Sequence, residues 1–152
     1  KGGKQMIALG CDHGGFLLKE EIKKYLDEAG VSYKDFGIYE EKSMKYPDKA
    51  FEVCHEVVAG NYDKAILICG TGIGISIAAN KVKGIRAAVC SDAYSASMTR
   101  RHNNSNILAF GSRVVGQGTA ETIVDAFFGA EYEGGRHQTR VDMISDIEEG
   151  KL

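Results

Sequence analysis

Several short segments of the 152-residue chain hold side chains whose types and spacing could do chemistry. Cys69 leads directly into Gly70-Thr71-Gly72-Ile73-Gly74. Closely spaced backbone N–H groups beside a helix start stabilise an anion, either a bound phosphate or an oxyanion formed during a reaction. The same donors stabilise a thiolate on the preceding cysteine. The plainer alternatives are a tight strand-to-helix turn and a strand-end cysteine that is only a small buried hydrophobe. His102-Asn103-Asn104 closes a helical pattern, where a histidine serves either as a partner of the helix dipole or as an acid–base group. Arg136 and Arg140 stand four apart on one helix face with His137 beside them, and Arg113 follows an apolar run. They form either a solvated basic face or a phosphate clamp, because guanidinium forks match phosphate oxygens. A thiol base next to oxyanion donors is what proton removal beside a carbonyl requires.

Other chemistries fit poorly. A dinucleotide fingerprint belongs at the first strand–helix turn, but counting from Gly10 its second glycine falls on Asp12. The later loop runs G-x-G-x-G and is followed by Ile75. No G-x-x-x-x-G-K-[ST] occurs, which argues against a P-loop nucleotidase. There is no H-E-x-x-H and no cysteine cluster, so no metal site is expected. The 19 basic and 21 acidic residues leave a net charge of −2, against a general nucleic-acid binder. No apolar run approaches the roughly 18 residues of a membrane span. The four cysteines, at 11, 54, 69 and 90, show no C-x-x-C spacing and read as reduced thiols of a cytoplasmic protein.

The elements that must carry these residues follow from the apolar pattern. Strands are expected at 6–10, 31–36, 65–69, 85–90 and 107–110. Helices are expected at 16–29, from Tyr46-Pro47-Asp48 to about 59, at 75–82, 93–102, 119–128 and about 137–149. Residues 37–46 read as a polar loop. Residues 1–5 read as an appended remnant or a frayed end, with Met6 as the native start and residues 6–152 as one domain. The strands are unbroken apolar runs that alternate with helices, the mark of a parallel sheet covered on both faces. We therefore expect an α/β fold, a three-layer α/β/α sandwich around five parallel strands. Ligands of such sheets bind at the carboxyl ends of the strands, where Asp12, His13, Cys69, Ser91, Asp92 and Arg113 fall.

Five motifs in order are together specific: Gly10-Cys11-Asp12-His13, Cys69 through Lys81, Arg101-His102-Asn103-Asn104, Ala109-Phe110-Gly111-Ser112-Arg113 and Glu133-Gly134-Gly135-Arg136-His137. From about Met6 to Ile147 the chain resembles the type B ribose-5-phosphate isomerases, within the wider group of ribose, allose and galactose phosphate isomerases. The resemblance implies a Rossmann-like sandwich that interconverts ribose 5-phosphate and ribulose 5-phosphate through an enediolate, without metal or cofactor. It implies a homodimer or dimer of dimers with active sites shared between subunits. By the same resemblance Cys69 is the base between carbons 1 and 2, Thr71 assists proton transfer between the oxygens, and His102 helps open the furanose ring. Gly70, Gly72, Ile73 and Gly74 hold the enediolate, and Asp12, His13, Tyr46, Asn103, Arg113, Arg136 and Arg140 bind sugar or phosphate. One branch of the family lacks the cysteine and carries a glutamate at the position of Ile75, so this chain falls in the cysteine branch. The alternatives are an isomerase of a 6-phosphohexose such as allose or galactose 6-phosphate, and a non-catalytic module that senses a phosphosugar. The module would need the arginines and the glycine loop but not Cys69 together with His102.

Overall fold

The computed structural model describes residues 6–39 and 44–152; the expectation for residues 1–5, and that for residues 40–43 of the polar loop, lie outside them. Strand β1 (Ile7–Cys11) leads through a single 3-10 turn (His13–Gly15) into α1 (Phe16–Glu28). Then follow β2 (Tyr33–Asp35), α2 (Tyr46–Val58), β3 (Lys64–Cys69), α3 (Ile73–Ala79), β4 (Ala87–Val89), α4 (Ala93–Asn103), β5 (Ile107–Gly111), α5 (Gln117–Phe128) and α6 (Arg136–Glu148). The strands form one sheet in the order β2-β1-β3-β5-β4, and every pairing is parallel. This is the α/β/α sandwich expected from the apolar runs.

Alternation along the strands builds two cores. Leu9, Ile66, Ile68, Leu108 and Phe110 face α1 and α5, where they meet Ile22, Ile123 and Phe127. Ala8, Ala65, Leu67, Cys69 and Ala109 face α2 and α3, where they meet Val53, Cys54 and Ile75. The chain thus leaves β1 toward one face and β3 toward the other. The strand order reverses between these neighbours, and a crevice opens at their carboxyl ends.

The observed ends differ from the sequence reading where side chains intervene. β2 and β4 are shorter than expected because each is an edge strand with a single partner. Helix α3 begins at Ile73 and stops at Ala79, earlier than the expected Val82. The Asn80 side chain turns to β4, accepting from Ala87 N–H at 2.7 Å and donating to Ala87 O at 2.9 Å. Pro47 sits in the first turn of α2, where its missing N–H costs nothing. Asp92 caps α4 by accepting from Ser95 N–H at 2.7 Å.

Candidate active site

At the carboxyl edge the loops after β1, β3 and β5 close on one another. Asp12 is buried, and its carboxylate accepts from Gly15 N–H at 3.2 Å. Gly14 lies between that carboxylate and the Gly70 backbone, in a tight fit: a Cβ there would meet both at 3.3 Å. Ser112 N–H donates to Cys69 O at 3.0 Å and Arg113 N–H to Gly70 O at 2.9 Å, while the Ser112 hydroxyl donates to Gly14 O. These bonds tie the three loops into one platform. The Arg113 guanidinium lies over Gly70, 3.2 Å from where a Cβ would stand.

The segment after β3 depends on glycine. Gly72 has φ 79°, a left-handed conformation, and a Cβ on it would sit 2.6 Å from the Phe110 carbonyl carbon. Only a glycine reconciles that turn with that contact. The turn brings Gly72 N–H back to the Cys69 sulfur at 3.1 Å, and Ile73 N–H to Thr71 Oγ1 at 3.1 Å. An N–H donor aimed at the sulfur stabilises negative charge there. Two N–H groups of the loop therefore serve its own Cys69 and Thr71 side chains, a division of labour that glycine spacing does not reveal. The Tyr46 ring, from the first turn of α2, covers Gly74, whose Cβ would come within 2.7 Å of it. Met44 N–H donates to His13 Nδ1 at 3.4 Å.

Burial acts on three further thiols. It pushes Cys11 up to about 11, Cys54 to about 12 and Cys90 to about 11. These three are protonated core residues at neutral pH.

The remaining expected site residues gather elsewhere. Helix α4 runs from the carboxyl edge back to the amino edge and ends at His102 and Asn103. Arg86, just before β4, pins this end by donating to Asn103 O at 2.9 Å and to Asn104 O at 2.9 Å. His102, Asn103, Arg136 and Arg140 line one cavity of about 350 Å³ with His137, Val141 and Ile144. The His102 and His137 rings stack with centroids 4.2 Å apart. Arg140 donates to Arg136 O at 3.0 Å, which fixes one guanidinium beside the helix start. Arg136 and Arg140 thus do not join Arg113 within one chain: they sit with His102 at the amino edge, and Arg113 sits with Cys69 at the carboxyl edge.

Sequence reasoning did not single out Glu133 as a contributor to this second cluster. Arg101 grips its Oε2 at 2.6 and 2.7 Å, leaving Oε1 facing His102 and His137. The Arg101 hydrogen bond holds the Glu133 carboxyl below the usual carboxylate range. The available signal was the four-residue spacing of Glu133 and His137, which joins a loop to the first turn of α6.

The fold defines an α/β protein of the parallel-sheet class, with a glycine-rich platform around Cys69 at the carboxyl edge of the sheet. Comparison with known proteins narrows this. A family model described as Ribose/Galactose Isomerase matches residues 7–144. Ribose-5-phosphate isomerase B of Escherichia coli K12 is 57% identical over 143 residues, 94% of this chain and 96% of that protein. Among solved structures, ribose-5-phosphate isomerase B of Clostridium thermocellum superposes with a TM-score of 0.94 at 51% identity, covering 97% of this chain and 100% of that one. Ribose-5-phosphate isomerase B of Mycoplasma genitalium, solved with bound ribulose-5-phosphate, gives a TM-score of 0.89 at 40% identity, covering 95% of this chain and 96% of that one. The chain belongs to the ribose/galactose isomerase family and is an isomerase.

Proposed function

We propose that the chain interconverts D-ribose 5-phosphate and D-ribulose 5-phosphate, in the cytoplasm, through an enediolate. The observation that carries this reading is the Cys69 sulfur with Gly72 N–H donated to it at 3.1 Å, at the carboxyl edge of the sheet, in a chain so similar to ribose-5-phosphate isomerases. In the aldose-to-ketose direction the Cys69 thiolate removes the proton from C2 of the linear sugar and returns it to C1. Meanwhile the C2 hydroxyl proton passes to the C1 oxygen with the help of Thr71. The loop from Gly70 to Gly74 stabilises the enediolate between the two transfers. Asp12, His13 and Tyr46 border the reacting end, and Arg113, Arg136 and Arg140 hold the phosphate. The four unpaired thiols and the phosphorylated substrate both fit a reducing cytoplasm.

The site is completed by a second copy. His102, Asn103, Arg136 and Arg140 belong to the amino edge of their own sheet, so they reach a Cys69 platform only from a neighbouring subunit. His102 then opens the ring by exchanging protons with the ring oxygen and the C1 hydroxyl. A homodimer, or a dimer of dimers, supplies the pairing. Exposed Ile73 and Ile77 beside the platform, and Ile144 and Ile147 along α6, offer it apolar surface.

The test is turnover of purified protein with ribose 5-phosphate and with allose 6-phosphate at matched concentrations. Preference for ribose 5-phosphate is expected. Preference for the hexose phosphate would move the assignment to a 6-phosphohexose isomerase. Turnover of neither, with either sugar still bound, would favour a sensing module.

A further inference from the structure

Behind His102 the amino-edge cluster holds a second layer of side chains. The His102 and His137 rings stack nearly parallel, with 12° between their planes and centroids 4.2 Å apart, so His137 fixes the plane of the His102 ring. His137 is itself buried, and its backbone N–H donates to Gly134 O at 3.0 Å in the first turn of α6. The Glu133 carboxylate faces both rings at ion-pair distance: Oε1 is 3.4 Å from His137 Nε2 and 3.9 Å from His102 Nε2. Its other oxygen, Oε2, accepts from Arg101 Nε at 2.7 Å and lies 2.6 Å from Arg101 Nη2. Glu133 N–H also donates to Arg101 O at 3.0 Å. Glu133 is thus tied by backbone and side chain to the residue that precedes His102, and its carboxylate cannot swing away from the rings without losing the guanidinium. A histidine that exchanges protons is positively charged during part of its cycle, and a fixed carboxylate beside it both orients the ring and stabilises that charge. Arg136 and Arg140 line the same cavity, so an imidazolium there forms against existing positive charge, which Glu133 offsets.

We propose that Glu133, held by Arg101, is a positioning residue for ring opening: it aims the stacked His102 ring and stabilises the imidazolium that His102 becomes. In that step His102 accepts the C1 hydroxyl proton as the bond from C1 to the ring oxygen breaks, and returns a proton to the ring oxygen. The proposal rests on the ring-opening role given to His102 above, and it assigns Glu133 no contact with substrate. It also divides two tasks within one segment. The Glu133 side chain serves His102, whereas the start of α6, which carries Arg136 and Arg140, is held by the backbone bond from Glu133 N–H to Arg101 O. Replacing the side chain leaves that bond in place, so the effect falls on kcat rather than on KM.

The experiment measures kcat and KM for the full-length wild type and for Glu133→Gln, Arg101→Ala, Arg101→Lys and His102→Asn. Each is assayed on ribose 5-phosphate and on a substrate analogue held in linear form. Glu133→Gln should lower kcat on ribose 5-phosphate by about tenfold or more, the equivalent of one charged hydrogen bond, with KM little changed and the linear analogue spared. Arg101→Ala should give the same pattern by releasing the carboxylate, and Arg101→Lys should recover part of the rate by restoring the charge. Both side chains are partly exposed, so these variants keep the core intact. Unchanged turnover in Glu133→Gln, or equal losses on the cyclic and linear substrates, would overturn the positioning role while His102→Asn still slows only the cyclic sugar. Equal slowing of both substrates by His102→Asn would instead remove the ring-opening role itself, a failure that the His102 variant registers alone.

Discussion

The Cys69 sulfur combines a donated N–H with a position at the end of a buried strand, and its replacement is the sharpest single-residue test. Cys69→Ala should lower kcat by at least about 10²–10⁴-fold, the usual contribution of a general base. Far-ultraviolet dichroism and phosphate binding should be unchanged, because the side chain is small and its backbone bonds remain. Cys69→Ser should fail nearly as badly, since a hydroxyl is far less acidic than a thiol. Near-wild-type turnover in either variant would remove Cys69 from the mechanism. His102 is tested differently. His102→Asn should slow turnover of cyclic ribose 5-phosphate while sparing a substrate analogue held in linear form. A full loss on the linear analogue would assign His102 to proton transfer instead. Asp35 gives a residue-scale prediction about stability. Lys19 is fully buried, and Asp35 pairs with it at 2.6 Å and with Lys23 at 2.8 Å. Burial opposes ionisation of Asp35, but the hydrogen bonds from Lys19 and Lys23 outweigh it and the carboxyl lies below its ordinary value of 3.8. Its contribution is therefore complete above that value and is lost as pH falls through the lower folded one. Asp35→Asn should cost about 3–5 kcal/mol at neutral pH by leaving Lys19 without its closest counter-charge. Denaturant unfolding should show the gap narrowing in strong acid, and a pH-independent difference would contradict the ion-pair account.

At the scale of elements, the turn between β3 and α3 is the part most exposed to substitution. Gly72 combines a positive φ with a Cβ position 2.6 Å from the Phe110 carbonyl carbon. Gly72→Ala should cost about 1–2 kcal/mol for the left-handed conformation alone, and more because Phe110 belongs to the rigid strand β5. The resulting shift should move the Gly72 N–H away from the sulfur. Activity should then fall further than thermal stability, and a crystal structure of the variant would show whether the 3.1 Å contact survives. The C-terminal end of α4 is held just as deliberately, by Arg86 on the Asn103 and Asn104 carbonyls and by Asn104 itself at φ 49°. That anchoring sets the direction in which His102 leaves the fold.

At the scale of the whole molecule, the two clusters lie at opposite sheet edges, and the site proposed to be shared between subunits is tested by mixing variants. Mixing inactive Cys69→Ala subunits with inactive His102→Asn subunits should restore part of the activity, because some hybrids carry one unaltered site. Hybrids shown to form, yet inactive, would mean that each subunit completes its own site. Arg136→Ala should mainly raise KM, by an amount corresponding to about 1.5–3 kcal/mol for a charged hydrogen bond, with kcat less affected; a steady-state comparison would separate the two.

Much of this was determined by the sequence alone. Unbroken apolar runs such as Ala65 to Cys69 and Ile107 to Phe110 imply strands buried on both faces, and hence a parallel sheet, because burial of alternate residues on opposite sides leaves no polar face. Glycine spacing after Cys69 likewise implies a tight, donor-rich turn, because the conformations it needs are closed to other residues. The sequence could not decide which loops meet. Arg113, Arg136 and Arg140 are chemically equivalent, and only the course of α4 and α6 across the sheet separates the first from the other two. Nor could it show that Glu133 joins His102, since their contact depends on the packing of α6 against α4 and on Arg101 turning the carboxylate. Local patterns specify elements because backbone conformation depends on near neighbours. The distances between elements belong to the folded core, where residues far apart in the chain are brought together by burial.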